Sequence, residues 1–295
     1  MTSATRTWAI ILHAGAGRRP KNDAQPTRDV CLNALARGQS VLRDGGAAVD
    51  AATETMMELE KHPLCNAGYG SVLNEHGEVE MDAAIMDGAS FDIGAVGAIR
   101  GVRHAAQVAR LLLREPQILL VGEGARAFAR ARGAELCDER AFHRIKTQAP
   151  PSSDLGDTVG CVALDPSGNI AAGTSTGGLS GKPAGRVGDS PLPGCGFYAD
   201  NAAGGASFSG IGERIARKLL AARTMQYLRE VDDAQRAADR AVADAGPIGG
   251  AAAAIVLDAR GGIGWAHDTP SFAVAYAASD LAAAAYVTRS EDVRR

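Results

Sequence analysis

Apolar residues along this chain fall into short runs of two kinds, continuous and helically spaced. WAIILH (8–13) is continuous, which predicts a buried strand, and it runs into the glycine-rich turn HAGAGR (13–18). Residues 27–43 place Cys31, Ala34, Leu35, Val41 and Leu42 at helical spacing and stop at Gly45-Gly46, a helix-end signal. A second helix is predicted over 49–59. HPLCNAGYGSVLNEHG (62–77) is dense in turn formers and reads as a loop. Two strands follow, EVEMDAAIMDG (78–88) and IGAVGAIRG (93–101), then helices near 103–114 and 122–132. CDERAFHRIKTQAPPSSDLGD (137–157) is polar and carries Pro150-Pro151, so it reads as an exposed linker. Beyond it come a strand pair over 158–176, helices over 210–228 and 232–245, and strands at 251–258, 261–268 and 272–277. Helix pairs flanking strand hairpins predict antiparallel sheets stacked between helical layers.

Composition narrows the function classes. The chain has 295 residues, 46% apolar and 22% charged, enough for a large core in one broad domain or two lobes. Its formal net charge is -3, with no basic cluster and no acidic tail, which argues against nucleic acid or an anionic membrane as partner. Five cysteines without a CxxC pair fit a reducing compartment better than a disulfide framework. The start lacks the apolar core of a signal peptide, and no apolar run reaches the ~18 residues that span a bilayer, so a cytoplasmic location is expected. The six histidines show no HExxH or other ligand spacing; His13, His62 and His267 read as structural. Cys161, Cys195 and the Met56-Met57 pair read as core filling, and Asp82 and Asp87 as partners of turns.

One stretch carries candidate chemistry: GDTVGCVALDPSGNIAAGTSTGGLSGKPAGRVGD (156–189). Thr158 opens the first strand, Thr176 closes the second, and a glycine-rich loop delivers Arg186 and Asp189. Taken alone, the threonines read more readily as strand formers than as catalysts, and Arg186 with Asp189 as a surface ion pair, the commoner case. Motif order changes that balance. HAGAGR, NAGYGSVLNEHGEVEMDAAIMDG (66–88), DTVGCVALD (157–165), TSTGG (174–178), GRVGDSP (185–191) and SGIGE (209–213) occur in one order over nearly the whole chain.

In this the chain resembles the plant-type asparaginases, or isoaspartyl peptidases, of the N-terminal nucleophile hydrolases. The resemblance implies an α+β fold, a four-layer αββα sandwich forming one structural domain. It also implies a precursor that cuts itself between Asp157 and Thr158, giving an α piece (1–157, including the linker 137–157) and a β piece (158–295), with cut protomers pairing as a homodimer. It makes Thr158 the nucleophile and Thr176 the hydroxyl that orients it. Arg186 would grip a substrate α-carboxylate and Asp189 its α-ammonium. Ser209, where the family usually has threonine, and the Gly210 N–H would form the oxyanion hole, with Asn66 near the nucleophile. The backbone of Leu59, Glu60, His62, Cys65, Ala67 and Tyr69 would wrap a structural sodium ion, and catalysis would need no cofactor. Asp157 before the nucleophile is a glycosylasparaginase trait, where the plant-type enzymes often have glycine.

The chemistry explains why such residues are needed. A threonine hydroxyl is a weak nucleophile without a base in reach. As a new N-terminus Thr158 would supply its own base, an α-amine of pKa ~7.7–8.0. A guanidinium and a carboxylate three residues apart match the two charges of a free amino-acid end. The expected substrates are therefore L-asparagine and β-aspartyl dipeptides. A glycosylasparaginase-like cleavage of N-acetylglucosaminyl-asparagine, and a non-cleaving binding homologue, are the rival readings.

Overall fold

A computed structural model describes residues 7–17, 21–138, 142, 157–288 and 291. Most of the predicted linker 137–157, and Arg18 of the first turn, lie outside the described residues. Among the described residues, twelve strands form two sheets. The larger has eight strands in the order β12-β11-β1-β5-β6-β2-β3-β4. These are β1 (Ala9–Gly17), β2 (Met81–Asp87), β3 (Ile93–Ile99), β4 (Leu119–Val121), β5 (Val159–Leu164), β6 (Ile170–Thr176), β11 (Ser271–Ala278) and β12 (Leu281–Tyr286). Every ladder in it is antiparallel except β3 with β4. The smaller sheet runs β10-β9-β8-β7, all antiparallel, from β7 (Phe197–Asp200), β8 (Gly204–Gly210), β9 (Ala252–Asp258) and β10 (Ile263–His267).

Strand alternation sorts side chains into three apolar layers. On one face of the large sheet Ile10, Leu12, Ala83, Ile85 and Cys161 pack under helices α1 (Ala24–Arg43), α2 (Ala48–Glu60) and α3 (Ala105–Leu112). The alternate residues Ile11, Ala84, Met86, Val162 and Ala172 meet Phe197, Ile255 and Leu257 of the small sheet. The far face of the small sheet, Ala206, Phe208, Ala254 and Val256, is covered by Ile215, Met225, Leu228 and Ala241 from α5 (Gly212–Lys218), α6 (Leu220–Val231) and α7 (Ala234–Ala245). α4 (Gly122–Ala131) packs beside β3 and β4. Mixed α and β content with stacked sheets agrees with the sequence reading.

Four features differ from the pattern-based expectation. The β7–β8 hairpin, GFYADNAAGGASFSG, has too few large apolar residues to read as strands. β12 is Ala-rich and edge-placed, and β4 is only three residues long. The helix expected over 210–228 is two helices, because Leu219 takes a left-handed conformation (φ 51°) and stops the first.

Candidate active site

The site lies where the ends of three adjacent strands face the small sheet. Val159 pairs with Ser175, so Thr158, one residue earlier, falls opposite Thr176; Asp82 pairs with Thr176 from the other side. Directly opposed residues share a face. Thr158, Thr176 and Asp82 therefore form one row across β5, β6 and β2, all three buried. Ser175, on the other face, donates to the buried Glu60 carboxylate at 2.6 Å, tying this end of β6 to α2. Glu60 also meets His104 Nδ1 at 3.0 Å and accepts from the Ala106 N–H at 2.9 Å.

The Thr158 N–H donates to Ser209 Oγ at 3.1 Å, and the same oxygen accepts from the Ala16 N–H at 3.2 Å. Thr176 Oγ1 makes a long contact, 3.4 Å, to the Asp157 carbonyl and accepts from the Gly178 N–H at 3.0 Å. The Thr176 hydroxyl thus addresses the peptide bond that enters Thr158. Gly15 is the one residue type that fits beneath this bond. It has φ 101°, and a Cβ there would lie 2.8 Å from the Asp157 side chain. Asn66 supports the turn after β6. Its Nδ2 donates to the Gly178 carbonyl at 2.7 Å, its carbonyl accepts from the Gly177 N–H at 2.9 Å, and its Oδ1 accepts from the Val72 N–H at 2.9 Å.

Thr158, Thr176, Arg186, Asp189 and Gly210 line one cavity together with Gly178, Leu179, Gly188, Ser190 and Gly212. Its free volume, about 10 Å³, is room for about one water while residues 157 and 158 are joined. Ser209 stands behind Thr158, and Asn66 acts on the cavity wall through Gly177 and Gly178.

The electrostatics hold two surprises. Arg186 does not wait empty: its Nε and Nη2 donate to Glu213 Oε1 at 2.8 and 2.7 Å. Burial alone would raise the Glu213 carboxyl, but Arg186, a backbone N–H and Arg217 hold it below its usual range. Asp189 is buried, and that burial pushes its carboxyl up to about 7, against the pull of its own backbone N–H and Arg186. Asp189 Oδ2 has no hydrogen-bond partner. Below the cavity, burial also pushes the Asp82 carboxyl up and the Lys182 ammonium down, each opposed by the other's charge. Sequence reasoning makes Asp82 a partner of a turn and passes over Lys182 and Glu213; the structure instead places Asp82 within β2, where its Oδ1 accepts from the Ala98 N–H of neighbouring β3 at 2.8 Å. The strand register marks Asp82, and Glu213 closes the SGIGE motif already singled out.

No group of three or more His, Cys, Asp or Glu side chains gathers as a metal site among the described residues. In the loop after α2 the chain passes close against its own backbone. A Cβ on Gly68 would lie 2.2 Å from the Glu60 carbonyl, and one on Gly70 would lie 1.9 Å from that of Cys65 and 2.9 Å from that of Pro63. No helix among the described residues is long and apolar enough to cross a membrane.

A sequence model of the family described as "Asparaginase" matches residues 6–150 and 143–287. An isoaspartyl peptidase/L-asparaginase of Danio rerio is 39% identical over 285 residues, covering 92% of this chain and 91% of the relative. The protein of the same description from Homo sapiens is 40% identical over 246 residues, 78% of this chain and 80% of its own. A plant-type L-asparaginase of Pyrobaculum calidifontis is 37% identical over 286 residues, 90% of this chain and 95% of its own.

Proposed function

The chain belongs to the asparaginase family, and from that membership and the cavity at Thr158 we infer that it is a hydrolase converting L-asparagine to L-aspartate and ammonia and cleaving β-aspartyl dipeptides. The single observation that carries the site assignment is the convergence of Thr158, Thr176, Arg186, Asp189 and Gly210 on one cavity.

The proposed sequence begins with the chain intact. The Thr158 hydroxyl attacks the Asp157 carbonyl, polarised by Thr176; the 157–158 C–N bond breaks as the ester forms, freeing the Thr158 amine, and water then opens the ester to give the Asp157 carboxylate and restore the Thr158 hydroxyl. That amine then takes the hydroxyl proton as Thr158 attacks the side-chain amide of the substrate, and returns it to the leaving ammonia or amine. The Gly210 N–H and the Ser209 hydroxyl receive the developing oxyanion; losing one such donor typically costs ~10²–10³ in kcat. Arg186 holds the α-carboxylate through the N–H groups that Glu213 leaves, and Asp189 holds the α-ammonium. Water releases aspartate from the acyl-enzyme.

Two stacked sheets with helices packed outside each support a four-layer αββα sandwich, one structural domain in which 1–157 and 158–295 become separate pieces. Further parts of the proposal are a homodimer of cut protomers, a cytoplasmic location checked by cell fractionation, and a sodium ion held by backbone oxygens of residues 59–69.

Intact mass and ammonia release test the reading together. Purified protein should resolve into two pieces meeting at Asp157/Thr158 and release ammonia from asparagine. Thr158→Ala should stay as one 30.3 kDa chain and release none. Turnover by demonstrably uncut protein would sink the mechanism. Release of aspartate from N-acetylglucosaminyl-asparagine but not from asparagine would move the assignment to glycosylasparagine cleavage.

A further inference from the structure

We propose that Lys182 is a positioning residue of the α-carboxylate subsite, a second cation beneath Gly178 that works alongside Arg186. The proposal rests on the function inferred above. Lys182 is almost fully buried in the loop between β6 and Arg186. Gly178 lines the cavity with φ 75°. A Cβ there would lie 3.1 Å from Lys182 Nζ and 3.2 Å from Arg186 Nη1. Both cationic nitrogens thus sit around one point on the cavity wall, so they are at most 6.3 Å apart.

A tether does not explain the charge. Lys182 Nζ donates to the Glu80 carbonyl at 3.0 Å, and Glu80 in turn accepts from the Gly185 N–H at 2.9 Å, which latches the loop to the strand below. A neutral donor could make that bond without the cost of burying an ammonium beside a guanidinium. The surrounding charges indicate a use for it. Glu213 occupies one edge of Arg186, and Asp82 faces both cations from the row of the two threonines. Glu213 offsets Arg186, and Asp82 faces Lys182 and Arg186 alike. Glu80 adds a third carboxylate beside Lys182, so an incoming carboxylate is met by a field in which Lys182 offsets part of the charge of Glu80, Asp82 and Glu213. The proton and bond changes of the reaction are untouched; Lys182 acts on where the substrate sits.

Kinetics with two substrates separate this from a scaffold role. Lys182→Gln keeps a donor for Glu80 and removes the charge. On self-cut protein, kcat/KM for L-asparagine should fall roughly tenfold or more, mainly through KM, while kcat/KM for asparagine α-amide, whose carboxamide is neutral, should change by under about twofold. Lys182→Arg, which keeps the charge, should restore most of the loss. If Lys182→Gln does not fold or cut, Lys182→Met carries the same comparison. Equal losses on both substrates, no loss on asparagine, or failure of both variants to fold would assign Lys182 to the scaffold and overturn the proposal. Absence of turnover by the unaltered, self-cut protein would instead overturn the inferred function, and this inference with it.

Discussion

Burial leaves the Asp189 carboxyl titrating at about 7, and its proposed partner is an ammonium. Only the ionised carboxylate binds that ammonium well, so substrate binding strengthens as pH rises through 7. KM for asparagine should therefore fall between about pH 5.5 and 8. The Thr158 amine acts on the same range through kcat, which keeps the two effects distinguishable. Asp189→Asn should raise KM at least ~10-fold and flatten its pH dependence, since a desolvated charged hydrogen bond is lost. A KM that is flat with pH in the unaltered protein would remove Asp189 from the ammonium subsite. The threonines, Arg186 and Asp189 were legible because they sit in ordered motifs. Glu213 and Lys182 were not, because their importance comes from what they face. No local spacing shows that a guanidinium 27 residues before Glu213 leans on it, or that Lys182 ends under Gly178.

At the scale of elements, the sequence conveys strands with large apolar residues and helices with clear ends. β1, β5, β6 and α1 are visible for that reason. β8 is mostly Gly, Ala and Ser, and its strand state comes from pairing with β7 and β9 rather than from its own propensity, while β7 is only four residues long. The break at Leu219 is hidden because its left-handed turn lies in a residue type that seldom adopts one. The loop after α2 carries the element-scale prediction. It leads into Asn66, which braces Gly177 and Gly178. The sodium ion proposed for this loop would stabilise the folded state by mass action, about 2.7 kcal/mol at a concentration 100 times its dissociation constant. Exchange of sodium chloride for choline chloride at equal ionic strength should lower Tm by several degrees. An unchanged Tm, read by scanning calorimetry, would leave the loop held by its own hydrogen bonds alone.

The whole molecule interleaves the two proposed pieces within one sheet. Strand β1, from before the cut, pairs with β11 on one side and β5 on the other, and β2 pairs with β6. Three ladders and the apolar layer between the sheets thus join residues on either side of position 157. Cutting removes one covalent link and leaves these contacts in place. Cut protein should stay together in native electrophoresis and sediment at twice the 30.3 kDa chain if the homodimer forms. Separation of the pieces without denaturant would contradict the interleaving.

If the proposed cut is made, that interleaving gives the precursor and the mature protein different histories. The continuous chain reaches its native state by a unimolecular reaction, threading β1 between strands that lie far behind it in sequence. After scission the same architecture must be rebuilt from two molecules that first have to find one another, each with unsatisfied strand edges exposed to aggregation. Renaturation of the mature protein therefore slows on dilution while that of Thr158→Ala does not, and the working lifetime of the enzyme is set by its unfolding barrier rather than by its capacity to recover.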